Sequence, residues 1–158
     1  MTRFARLEGH KDGLATKDTK ISKEMRMEKT FAAIPAETEH IATAVIGAAI
    51  EVHRHLGPGF IEKIYQEALC LELDARGFKY ERERAIVVHY RGVPIPGQRI
   101  DLIVAGCVLV ELKAAARIDN NAHEAKIISY LRTTGLRLGL LLNFNGRTVK
   151  EGLRRIVV

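Results

Sequence analysis

The chain predicts an α/β fold, a mixed central β-sheet flanked by helices, in the order helix, helix, strand, strand, strand, helix, strand. Three observations carry this. Apolar residues recur at helical spacing through residues 39–75, and the period switches to two from Phe78 onward. A last helical segment then separates the third and fourth apolar runs, a connection that permits parallel pairing of those strands.

Residues 1–35 differ from the rest. They hold T-K-D-T-K-I-S-K-E, scattered charges and little apolar periodicity, and read as a disordered or weakly ordered extension. Met25 and Met27 are alternative starts, and Pro35 marks the boundary of a domain spanning 36–158. Thr38 or Glu37 opens a first helix, Glu39 to about His55, with Ile41, Val45, Ala48, Ala49 and Val52 on one face. Gly57, Pro58 and Gly59 break it with a sharp turn. A second helix runs from about Ile61 to Ala75. Its stripe is Ile61, Ile64, Ala68, Leu69, Leu71 and Leu73, with Gly77 at the left-handed position past its end.

Phe78 to Tyr90 reads as one long strand, and R-G-V-P-I-P-G (91–97) as a turn-rich link. A β-hairpin follows, residues 98–105 and 107–113, folding about Gly106. Asp119, Asn120 and Asn121 offer capping oxygens to a helix from about Ala122 to Thr134, which Gly135 ends. L-R-L-G-L-L-L-N-F is a fourth strand apolar enough to be buried on both faces. The tail from Thr148 reads as a short helix or strand.

With 158 residues and 47% hydrophobic side chains, one domain with a full-sized aliphatic core is expected. The net charge of +6 favours a polyanionic partner. Residues 1–40 carry 8 Lys+Arg against 7 Asp+Glu, and residues 41–158 carry 17 against 12. The basic excess therefore belongs to the domain. Cys70 and Cys107 form no zinc motif and read as reduced core thiols of a cytoplasmic protein. No secretory leader is visible. The apolar run Ile41–Ile50 is too short to cross a bilayer, which takes ~20 residues.

The residues that could carry chemistry lie in the hairpin. Folding about Gly106 sets position i opposite 212 − i, so Asp101 faces Glu111, and Lys113 shares the face of Glu111. Two carboxylates across a ladder repel, and a divalent cation turns that repulsion into coordination by hard oxygens. The Leu112 carbonyl could add a third oxygen. Such an ion serves phosphodiester hydrolysis, with Lys113 beside the attacking water. As an isolated pattern, E-x-K is more often a solvated face or a local ion pair. Here Ile100, Leu102, Val104, Val108, Val110 and Leu112 are expected to bury one face of the hairpin, and Ile103 and Leu109 to bury part of the other. That favours a polar cleft at the sheet end.

The spacing D-x9-E-L-K resembles the PD-(D/E)XK nuclease superfamily. Gly59, Glu62 and Tyr65, in G-F-I-E-K-I-Y, resemble the signature of its GxxExxY branch. The resemblance runs from about Ile41 to Asn143 and includes H-R-x-L-G-P-G-F, H-E-A and G-L-L-L-N-F. It implies a restriction-endonuclease-like core and a metal-dependent nuclease acting on DNA. It implies Mg²⁺ (or Mn²⁺) held by Asp101, Glu111 and Glu62, with Lys113 activating water. Ile100 stands where a proline usually precedes the aspartate, and Lys126 where a Gln usually lies four before Tyr130. Lys126 cannot accept a hydrogen bond, so a phosphate contact is expected of it instead. An inactive nucleic-acid-binding module with the same fold is the alternative, and a scaffold whose carboxylates are paired internally is a third reading. A core this small is expected to take specificity from a homodimer or a partner protein.

Other residues leave two readings open. Tyr65 orients Glu62 or packs in the core. Arg82, Arg84, Arg91 and Arg99 meet phosphates, with Tyr130 among the nucleic-acid contacts, or the arginines form a solvated edge. His123 and Glu124 serve the site or only polarise a helix start. His53 and His55, two apart, are expected at a solvated helix end.

Overall fold

A computed structural model describes residues 33–158. Most of the extension expected over 1–35, and both alternative starts, lie outside the described residues. Helix α1 (Ala36–Leu56) begins behind Pro35 without a side-chain cap. The Pro35 carbonyl accepts the first helical bond, from Glu39 N at 3.0 Å. The start expected at Glu39 therefore moves back by a turn, and Thr38 turns inward instead of capping. Helix α2 (Glu62–Ala75) buries Tyr65, Gln66, Leu69, Cys70 and Leu73. The expected stripe was misplaced: Ile61, Ile64 and Leu71 face solvent, because Tyr65, Leu69 and Leu73 at i, i+4, i+8 own the inner face.

Strands β1 (Tyr80–Tyr90), β2 (Val93–Val104) and β3 (Val108–Lys113) form an antiparallel meander. Helix α3 (Asn120–Thr134) crosses over to β4 (Leu138–Asn143), which pairs parallel to β3. A single-turn helix α4 (Val149–Gly152) leads into β5 (Leu153–Val157), antiparallel to β4. The tail is thus both helix and strand, and the sheet has five strands in sequential order. The residues expected to form a link, 91–97, do not. Arg91 and Gly92, with φ of 50° and 80°, make a two-residue turn of the I′ kind, and β2 starts at once. Pro94 and Pro96 are tolerated because that stretch of β2 pairs only with β1. Its other edge has no neighbour needing an N–H.

Two apolar clusters fill the two faces of the sheet. One joins α1, α2 and Val149 of α4 to Leu102, Val104, Val108, Val110, Leu112, Leu138, Leu140 and Leu142. The other joins Ile127, Tyr130 and Leu131 of α3 to Ile86, Ile100, Ile103, Leu109, Leu141 and Ile156. Each large side chain so buried contributes ~1.5–3 kcal/mol. Gly139 lets α3 approach, since a Cβ there would stand 2.6 Å from Ile127 Cγ2. The expectation for the hairpin's faces needs one correction. Ile103 and Leu109 bury the second face as expected. Ile100 lies with Ile103, not with Leu102 and Val104. The alternation therefore breaks at Asp101, opposite Glu83, whose φ is 49°.

No helix among the described residues is long and apolar enough to cross a membrane.

Candidate active site at the end of the β2–β3 ladder

The β2–β3 ladder has the register expected, Leu102 to Val110, Ile103 to Leu109 and Val104 to Val108. It stops short of Asp101 and Glu111. There the Asp101 side chain replaces a backbone acceptor: Leu112 N donates to Oδ2 at 2.7 Å. Gln66 of α2 holds the broken alternation in place, donating to the Asp101 carbonyl at 3.4 Å and to Glu83 Oε1 at 3.1 Å. Sequence reasoning missed Gln66. Its only signal was a polar residue beside Tyr65 on the inner face of α2.

Glu111 is fully buried. Its Oε1 accepts from Lys126 Nζ at 2.5 Å and lies 3.2 Å from Lys113 Nζ. Its Oε2 has no hydrogen-bond partner among the described residues. Leaving a buried carboxylate oxygen unmatched costs ~1–3 kcal/mol or more, so this atom is the least explained polar group at the site. Lys113 Nζ also donates to its neighbour's carbonyl, Leu112 O, at 2.5 Å and to Glu62 Oε2 at 3.4 Å. Glu62 thus meets the site through Lys113, at the first residue of α2.

The electrostatics follow from burial. Desolvation, then the charge of Glu111, pushes the Asp101 carboxyl from 3.8 up to about 6, against the Leu112 N–H bond and Lys113. Burial works against the charge of Lys126, but its hydrogen bond to Glu111 and the Glu111 charge outweigh this and hold its pKa up. Burial raises that of Tyr130. Tyr130 is almost fully buried, with Lys126 Nζ 5.2 Å from its ring centre. The expected nucleic-acid contact at Tyr130 is therefore corrected: the ring is core and supports Lys126. Lys126 itself is turned to Glu111, not outward to a phosphate, and its side chain is 35% exposed.

Arg84 and Arg99 are exposed on β1 and β2, with Arg84 paired to Glu81 at 3.3 Å. Tyr65 packs in the core instead of orienting Glu62. It stacks on Phe144 at 4.5 Å, donates to Gly57 O at 2.7 Å and accepts from Phe60 N at 3.2 Å. It thereby clasps the turn that carries Gly59 (φ 113°) and leads into Glu62. His53 is buried, not solvated, and hydrogen-bonds Gly146 O at 3.0 Å. No side-chain bond joins His123 or Glu124 to the site among the described residues. Asn143, also missed, pins the chain after Lys113: its side chain donates to Ala115 O and accepts from Ala115 N, at 2.9 and 3.2 Å.

Hard oxygen donors fit this place. Asp101 and the unmatched Glu111 Oε2 are the two strongest, and Leu112 O shares the Lys113 ammonium with Glu111 Oε1. Glu62 does not converge on them, and among the described residues no three His, Cys, Asp or Glu side chains cluster as a ready-made metal site.

The fold and site define an α/β domain with paired acids and a lysine where a three-layer core opens at one sheet end. A family model for the PD-(D/E)XK nuclease superfamily matches residues 39–156, and the chain belongs to that superfamily. Its core is accordingly restriction-endonuclease-like. Members of the superfamily typically use a divalent metal. Searches of curated proteins and of solved structures returned no match.

Proposed function

We propose that the domain is a nuclease of the GxxExxY branch that hydrolyses phosphodiester bonds in DNA with Mg²⁺ or Mn²⁺. The observation that carries this is the buried Glu111 carboxylate, with one oxygen unmatched beside a carboxyl pushed up to about 6. That is a charge arrangement awaiting a cation. The GxxExxY assignment is supported by the roles of its three residues: Gly59 turns the chain, Tyr65 clasps the turn and Glu62 meets Lys113.

Asp101 and Glu111 would hold the ion, with the Leu112 carbonyl as a third oxygen and Glu62 reaching it only by moving. A divalent ion so held supplies charge neutralisation at the phosphate and an acidified water. Lys113 donates a hydrogen bond to the attacking water and to a non-bridging phosphate oxygen. The water oxygen bonds to phosphorus, the bridging P–O bond opposite breaks, the water's proton passes to solvent beside the half-exposed Glu62, and the leaving oxygen takes a proton from solvent to become a hydroxyl. Lys126 occupies Glu111 Oε1 and lowers the negative charge on offer, so its ammonium competes with the ion.

Purified protein is assayed on single- and double-stranded DNA with Mg²⁺, Mn²⁺ or EDTA, beside Lys113→Ala and Asp101→Asn. Cleavage in EDTA, or full activity in both variants, overturns the proposal. A second reading is favoured by the Lys126–Glu111 pair, which satisfies the site internally: a binding module without turnover. DNA binding without calorimetric uptake of Mn²⁺ identifies it.

A further inference from the structure

The β1–β2 hairpin runs well past the rest of the sheet. Only Leu102, Ile103 and Val104 of β2 pair with β3, and the apolar cluster under α3 reaches β1 no further than Ile86. Beyond that, residues 87–99 are exposed throughout, on both faces of a two-stranded arm. The extra residue Gly97 (φ 141°) sits where the β1–β2 register shifts, at the base of this arm. Such a bulge adds bend and twist.

The arm's composition is unusual for an exposed element. Val87, Val88, Tyr90, Val93 and Ile95 all lie open to solvent, Tyr90 and Val93 at 62% and 61%. Val88 pairs with Ile95 and Tyr90 with Val93, which sets these four on one face, and an exposed apolar patch of this kind marks an interaction site. Its charges have one sign. Between Arg84 and Ile100 there is no acid, while Arg91 and Arg99 are cationic. Arg91 lies over the Tyr90 ring at 5.5 Å, and Arg99 has no acidic partner among the described residues. Pro94 and Pro96 remove two N–H donors from the free edge of β2, which disfavours a second copy adding there by strand pairing. A polyanion with an apolar groove floor meets both properties.

We propose that the arm docks duplex DNA by lying as a ribbon in its major groove. Arg91 and Arg99 would meet phosphates, and Val88 and Ile95 the base edges and thymine methyls. The B-DNA major groove admits a two-stranded β-ribbon, whereas the RNA major groove is too narrow. From Val93 to Asp101 the strand spans about 27 Å, at ~3.4 Å per residue. The tip of the arm therefore lies roughly eight base pairs along the groove from Asp101. This inference rests on the reading of the domain as a DNA nuclease.

The test uses the full chain in EDTA, with a labelled duplex of about 20 base pairs, long enough to span the arm. Anisotropy is measured across a salt series. Arg91→Asn suits the left-handed backbone of the turn and removes a charge, and Arg99→Gln does the same on the strand. Together they are expected to lower the slope of log K on log salt by about 2 and to weaken binding roughly tenfold. Val88→Thr with Ile95→Thr keeps strand propensity and is expected to weaken duplex binding with little change in slope. Calorimetric Mn²⁺ binding should be unchanged in all four. Wild-type binding matched by the variants overturns the arm's role and leaves the nuclease reading standing. No DNA binding by the wild type overturns both. Tighter binding of single strands than of duplex also overturns the proposal. So does a wild-type dimer in sedimentation that Val88→Thr/Ile95→Thr dissociates without loss of DNA affinity, because the arm then joins two copies.

Discussion

Asp101→Asn is expected to stabilise the metal-free protein while removing its capacity for a divalent ion. The Asp101 carboxyl titrates at about 6 in the fold against 3.8 ordinarily, through burial first and the Glu111 charge second. An acid whose pKa is raised by folding binds more protons in the native state between those values. Stability therefore falls as pH rises from about 4 to about 6, and the cost is fully present above that window. At 1.36 kcal/mol per pH unit, the interval amounts to about 3 kcal/mol. Asn keeps an oxygen for Leu112 N, now at 2.7 Å, and sheds the charge. It also forgoes attraction to Lys113, so the net gain expected is about 1–3 kcal/mol. Urea unfolding in EDTA at pH 8 and at pH 4, followed by the same series with Mn²⁺, measures it. The variant should exceed the wild type at pH 8, match it near pH 4, and ignore Mn²⁺. The wild type should gain about 2.7 kcal/mol from Mn²⁺ at a hundredfold excess over Kd. A variant less stable than wild type at pH 8, or one keeping the wild-type slope between pH 4 and pH 6, refutes the reasoning.

Two further substitutions test the neighbours of that carboxyl. Lys126→Gln should lower metal-free stability by about 2 kcal/mol. That is less than the 3–5 kcal/mol typical for a broken buried pair, because the Lys126 side chain is 35% exposed and Lys113 remains 3.2 Å from Glu111. The same change should tighten Mn²⁺ binding several-fold by calorimetry, since an ammonium no longer competes for Glu111. Tyr65→Phe deletes a hydroxyl bonded to Gly57 O and Phe60 N, and should cost about 1–2 kcal/mol in chemical denaturation. The clasp rather than the ring is lost, so the Phe144 stack persists and near-ultraviolet dichroism should change little.

The register at the heart of the site was legible because it depends on local facts. Gly106 turns the hairpin, so 102 falls across from 110, 103 from 109 and 104 from 108, and Asp101 and Glu111 come next, just past the end of the ladder. Helix α3 was equally legible, since Asp119 caps it through Ala122 N at 3.1 Å and Gly135 ends it at φ 74°. What escaped depends on contacts distant in sequence. The break in alternation at Asp101 needs Gln66 on α2 and a left-handed Glu83 on β1. The reach of β2 through Pro94 and Pro96 depends on one edge having no neighbour, which composition does not reveal. Apolarity alone does not identify the inner face of α2. Tyr65, with its hydroxyl used by the preceding turn, outcompetes Ile64 for the inner face. Lys126 was recognised as an unusual residue for its place, but that it would turn inward to Glu111 is a property of the packed site.

The bulge at Gly97 separates two parts of one hairpin that answer to different constraints. Below it, pairings such as Arg82 to Leu102 hold Asp101 in register, and above it Val87 to Pro96 and Val88 to Ile95 continue in a shifted one. Residues removed from the upper part in matched pairs, one from each strand, would shorten the arm while leaving every pairing at its base intact. Length and sequence above Gly97 can therefore drift, be grafted or be redesigned as a separable module, with the chemistry at the foot of the same strand untouched.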